Sequence, residues 1–218
     1  MYRFGSEINL HIEQLKEKLS QGKLPTDLDW ITEISKPAEI FKQIDFVSIS
    51  ETVCLNFVSK ILSSASTAVA NELIPISLLP RAKALTKPAS RLFASTLSVA
   101  AQLHPRAVAD AFVTPLVLDD SITTSQTELI ARTATAIPAA ISAFIRVIAQ
   151  QRSLTWKDPI IALLQQLLSV KNSSLTAETA VELTHAITDR AALCANNSKF
   201  AALILAAASK HGTVVCCQ

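Results

Sequence analysis

The side chains of this chain that could carry catalytic or metal chemistry do not assemble into a site by spacing. His11, His104, His185 and His211 lie far apart, and no two of them share a helix face at metal-ligand separation. His104 precedes Pro105 and reads as part of a helix junction rather than as a base. Cys54 and Cys194 fall inside helical patterns and read as buried thiols behaving as small hydrophobes. The adjacent Cys216 and Cys217 read as a frayed tail, with lipidation or thiol reactivity as the alternative. There is no glycine-rich phosphate loop and no G-x-S-x-G elbow. The hydroxyls cluster at helix starts, where capping explains them, and Glu51, Glu128 and Glu178 sit in first turns. The expectation is a protein with no reaction centre, no cofactor and no metal.

What remains is the chemistry of docking. Arg81 and Lys83 stand in an apolar stretch broken by Pro75, Pro80 and Pro88, NELIPISLLPRAKALTKP. Such a charged fork is either a solvated kink or the rim of a protein interface. Trp156, before Lys157, is either an exposed anchor for a partner or the packing that fixes the entry of its helix. Phe200, opening the last apolar helix, completes the aromatic candidates for partner contact.

The elements that must position these residues are helices. Half of the 218 residues are hydrophobic, but only three are glycine, too few for the turns of a sheet protein. A stripe of Ile8, Ile12, Leu15 and Leu19 runs along a first helix from Ser6 to Ser20, stopped by Gly22. Short pieces around Trp30 and from Pro37 follow. Ser48 with Glu51 fits a capping box for a helix burying Cys54, Phe57, Val58, Ile61 and Leu62. Regular patterns resume from Ala89, and again from Pro105; Ser125 with Glu128 fits a second capping box, and Pro138 opens a further helix.

The most legible stretch is Leu154 to Lys210. Asp158 caps a helix with Pro159 in its first turn and a stripe of Ile160, Leu163, Leu164, Leu167 and Leu168. Thr176 caps the next, with Ala180, Val181, Leu183, Thr184 and Ile187 inward. Asn197 and Ser198 open a third, with Phe200, Leu203, Ile204 and Ala207 inward, ended by Lys210 and Gly212.

Short breaks between similar helices imply antiparallel neighbours. The fold class expected is all-α, an α-solenoid of stacked antiparallel helical repeats of degenerate HEAT/ARM type, with a single globular bundle as the competing architecture. Residues 1–47 read as an N-terminal helical cap, 48–212 as the repeat domain and 213–218 as a tail. No secretory signal opens the chain and no apolar block approaches the length of a bilayer span, so a soluble, intracellular protein is expected. The net charge of +2 is too diffuse to nominate nucleic acid as a partner, although a weakly basic nucleic-acid-binding helical protein stays as an alternative beside a generic protein-binding scaffold.

The ordered set ASRLFASTLSVAAQLHPRAVADAFVTPLV, QTELIAR, LTWKDPIIALLQQLL, LTAETAVELTHAI and SKFAALILAAASKHG resembles the C-terminal helical domain of the Fanconi anaemia group E family from about Ser50 to Gly212. The resemblance implies a non-enzymatic adaptor of the nuclear Fanconi anaemia core complex. In that family the protein joins the group C and group F subunits and presents the group D-two and group I substrate pair to the ubiquitin ligase in interstrand crosslink repair. It also implies that Arg81 and Arg91 match basic positions on the side that meets group C. Family members usually carry a long N-terminal extension before this domain and about one further helical pair after it.

Overall fold

A computed structural model describes residues 2–34, 36–171 and 174–215, and every regular element among them is helical. In chain order these are α1 (Tyr2–Ser20), α2 (Asp29–Glu33), α3 (Pro37–Phe41), α4 (Glu51–Ser64), α5 (Thr67–Ser77), α6 (Leu79–Lys83) and α7 (Arg91–Leu103). Next come α8 (Pro105–Val108), a π turn (Ala109–Val113), α9 (Thr114–Val117), α10 (Thr124–Ala136), a 3-10 turn (Pro138–Ala140) and α11 (Ile141–Gln150). The chain closes with α12 (Asp158–Ser169), α13 (Ala177–Arg190) and α14 (Ser198–Val215). No single helix is long and apolar enough to cross a membrane.

By internal contact the chain divides into two units, Met1–Arg81 and Ala82–Gln218. In the first, the α1 stripe of Ile12, Leu15 and Leu19 is buried, as are Ile31, Phe41 and Leu73. Here α2 packs on α4, and α5 packs on α3 and α4. The rings of Phe46 and Phe57 meet at 5.8 Å. Thus α4 and α5 belong by packing to the N-terminal unit, although their sequence reads as the start of the repeat domain.

In the second unit, helices alternate between two rows. One row runs α7, α10, α12, α14, each packed on the next; the other runs from the π turn to α11 and then α13. Phe93, Phe112, Phe144, Leu164 and Leu203 fill the space between, with Phe93 and Phe112 edge to face at 6.5 Å. The described side-chain hydrogen bonds between residues more than five positions apart all span 32 to 44 positions in sequence, whichever unit they lie in. That is the length of one helical pair with its loops, so within each unit these bonds tie helices about one pair apart.

Local chemistry departs from the sequence reading at several ends. Ser48 donates to the Asp45 carbonyl at 3.0 Å, and α4 is capped by position at Ser50. The second capping box forms two residues earlier than Ser125 and Glu128, between Thr123 and Gln126, whose Oε1 accepts from the Thr123 N–H at 2.8 Å. Lys157, not Asp158, holds the N-cap position of α12, leaving Asp158 to reach α14. Pro75 lies inside α5 rather than breaking it. Pro115 lacks the N–H that the Ala111 carbonyl would use; the turn ahead of it widens to π, with the Thr114 N–H and hydroxyl both donating to Ala109 O. Gly212 does not end α14, which continues to Val215, and Ile204, expected inward, is 40 % exposed.

Gly22 ends α1 with φ +75°, and a Cβ placed there would meet nothing within 4 Å. The cost of a side chain is therefore conformational alone. Gly22→Ala is expected to lower stability by about 1 kcal/mol and Gly22→Asn by less, since Asn tolerates the left-handed region. Chemical denaturation of the two variants checks the order.

Candidate protein-binding surface

Arg81, the last residue of the N-terminal unit, is half-buried and committed inward. Its Nη2 donates to the Phe46 carbonyl at 2.6 Å and to the Ile49 carbonyl, so one cation closes the backbone between α3 and α4. It also lies against Cys54: burial pushes that thiol's pKa up, and the charge and hydrogen bond of Arg81 pull partly back. Cys54 is thus a packed thiol. Arg81 is a brace rather than the solvated kink or exposed rim its sequence setting offered, because its Nη2 serves two carbonyls of its own unit.

Lys83 belongs to the other unit. Its Nζ lies 3.2 Å from Asp119 Oδ2, in the loop after α9. Ser121 completes that loop, its backbone N–H and hydroxyl donating to Asp119 Oδ1 at 3.0 and 2.6 Å. Mainly through Ser121, and then through Lys83, the Asp119 carboxyl is held down to a pKa of about 2 from the ordinary 3.8. Beside this pair Gln126, 5 % exposed, donates to the carbonyls of Ala82 and Lys83 while its Oε1 serves the α10 cap. Arg91 is different: it stands exposed in the first turn of α7 and makes no hydrogen bond or ion pair among the described residues.

Trp156 and Phe200 are the two candidates that the structure brings together. Their rings lie 6.3 Å apart, and they are 4 % and 2 % exposed. Neither projects as an anchor: of the two readings of Trp156 the packing one describes it, and Phe200, offered as a partner contact, is buried too, since α14 lies against α12 and covers the indole. The Arg190 guanidinium lies over the indole ring, 4.6 Å from its centroid.

Arg190, which no motif or spacing in the sequence singles out, organises this corner. It reaches from the end of α13 to the carbonyls that follow α11, donating from Nε and Nη2 to Leu154, and from Nη2 to Gln151 and Arg152. Its Nη1 donates to Ala186 in its own helix. Burial pulls its pKa below the ordinary arginine value, and the neighbouring Asp189 opposes the shift. Desolvating a guanidinium costs several kcal/mol, and here helix-end carbonyls and an aromatic face repay it. The one signal in the sequence was an arginine in the last turn of a helix, a position that ordinarily faces solvent.

The remaining polar groups link neighbouring pairs at the surface. Arg146 and Glu178 form a bidentate pair at 2.9 and 2.7 Å. Asp158 accepts from Lys199 at 2.6 Å and from Asn197 at 3.1 Å, contacts that lower its pKa in that order. No three His, Cys, Asp or Glu side chains converge as a metal site among the described residues. Cys194 is half-buried rather than fully enclosed. Cys216 and Cys217 lie outside the described residues, as does the side chain of His211.

Compared with known protein families, residues 17–217 match the sequence model of the Fanconi anaemia group E protein. No curated protein matches the chain.

Two outcomes follow from this geometry. Arg190→Met keeps the volume but leaves the carbonyls of Arg152 and Leu154 without donors and that of Gln151 with the Leu154 N–H alone, and is expected to lower stability by about 2–4 kcal/mol in urea unfolding, with Arg190→Lys recovering less than half. Because the Asp119 pKa is depressed on folding, its contribution is present above the ordinary 3.8 and is lost as pH falls through about 2. Carboxyl NMR titration should give that low midpoint, and Ser121→Ala should raise it more than Lys83→Met does.

Proposed function

The chain belongs to the Fanconi anaemia group E family, and from that premise we propose that it is a non-enzymatic adaptor acting in the nucleus, joining the group C subunit of the core complex to the group D-two and group I substrate. As a member of the family it is a Fanconi anaemia pathway protein, concerned with DNA repair and acting through protein–protein interactions. The finer role rests on the architecture that carries it. We read the helices as an α-solenoid of degenerate repeats in which each pair touches its neighbours alone, an arrangement that gives a protein extended docking surfaces rather than a central cleft.

The observation that carries this reading is the common span of the cross-helix ties, 32 to 44 positions. A closed bundle returns its last helix to its first and would produce ties of every length. Repeat families with paired helices have periods of about 34 to 47 residues, which brackets most of the observed span.

Within this surface Arg91 is the residue proposed to meet group C. It is exposed and unpaired among the described residues, so its charge is available, whereas Arg81 and Lys83 are engaged at home. Reversing Arg91 tests binding without disturbing the fold. The chain co-expressed with a group C protein is expected to co-purify, and Arg91→Glu to weaken that association at least tenfold with no change in thermal stability. Absence of any complex, together with normal crosslinker tolerance in cells carrying Arg91→Glu, overturns the group C assignment.

A further inference from the structure

Beside the Arg190 corner lies a cavity of about 520 Å³, within the size range of ligand and side-chain pockets. Leu154, Trp156, Leu193 and Cys194 supply its apolar lining. Leu193, in the turn between α13 and α14, is 85 % exposed, the most exposed of the large hydrophobic residues described. Trp156 carries an enclosed Nε1–H that has no acceptor among the described residues. That N–H is closed off from the cavity as well as from solvent, so Trp156 offers the cavity its ring alone.

The charges around the cavity are not balanced. Lys157 is matched by Asp120 and Lys199 by Asp158, while Asp189 sits next to Arg190. Arg152, exposed on the rim, has no side-chain partner among the described residues. One positive charge is therefore left over beside an apolar opening. The wall is also fixed in advance, since Arg190 bonds the carbonyls of Gln151, Arg152 and Leu154, so little ordering would be needed on binding.

We propose that this cavity receives a bulky apolar side chain from an extended peptide of a partner protein, with an acidic residue beside it held by Arg152. Leu193 covers the inserted side chain from the rim. Trp156 is on this view the floor of a receptor pocket for an anchor, not an anchor itself. The inference requires no pathway assignment and goes beyond the docking of group C.

Selection of displayed random 12-residue peptides on the full chain tests it without using any Fanconi partner. Enriched peptides are expected to place Phe, Trp or Leu within two positions of Asp or Glu. Measured by anisotropy as synthetic peptides, they should lose at least tenfold in affinity on Leu193→Asp and on Arg152→Glu. Arg152→Lys, which keeps the charge, should bind within about threefold of the parent, and Leu205→Asp, outside the cavity, should bind unchanged. In a Trp30→Phe background, binding should shift the emission of Trp156. No enrichment, enrichment of basic peptides, or affinities indifferent to both Leu193→Asp and Arg152→Glu would overturn the proposal. So would self-association of the chain that Leu193→Asp abolishes, since a second copy would then cover the cavity.

Discussion

Helix ends set the problem that this protein solves most often. Each helix leaves its last carbonyls without intrahelical donors, and in a chain of short helices such ends are many. Here carbonyls at the ends of α6 and α11, and others in the breaks between helices, are served from a neighbouring helical pair. Arg81 donates to Phe46 and Ile49, Arg132 to Ala89, Gln126 to Ala82 and Lys83, and Arg190 to Gln151, Arg152 and Leu154. An apolar stripe says only that a helix must be covered. These bonds say where along its neighbour it must sit, so they fix register while burial supplies the driving force.

This division of labour explains why the basic residues sort into two kinds. Arg81 and Arg190 have lost much of their water and gained carbonyls, and their removal exposes unsatisfied backbone. Arg91 and Arg152 keep their water and have no partner among the described residues, so they remain available for another molecule. A count of arginines cannot separate these roles. Their separation depends on whether a helix end lies within reach, which is a property of the packed pair.

Much of the helical plan was legible. The stripe Ile160, Leu163, Leu164, Leu167 and Leu168 is buried as its spacing requires, and so is Cys54 with Phe57, Val58, Ile61 and Leu62. Caps at Thr176 and Asn197 form as read, because a hydroxyl or amide ahead of an apolar run has few better partners. The second capping box was displaced by two residues, since the loop around Thr123 offers both a hydroxyl and a glutamine at the same spacing as Ser125 and Glu128. The π turn ahead of Pro115 leaves no local sign in the sequence, because a widened turn leaves the apolar period almost unchanged.

From the sequence alone came the fold class, the helix stripes and the family resemblance, because each depends on residues close in the chain or on their order. The tertiary structure decided the fate of the candidate contacts. Trp156 and Phe200 became each other's cover once α14 lay on α12, and Arg81 became a brace once α6 came within reach of the carbonyls after α3. The cavity under Leu193 and the role of Arg190 belong to the same class of fact. They arise from groups 32 to 44 positions apart, and no local pattern of residues records which of them will meet.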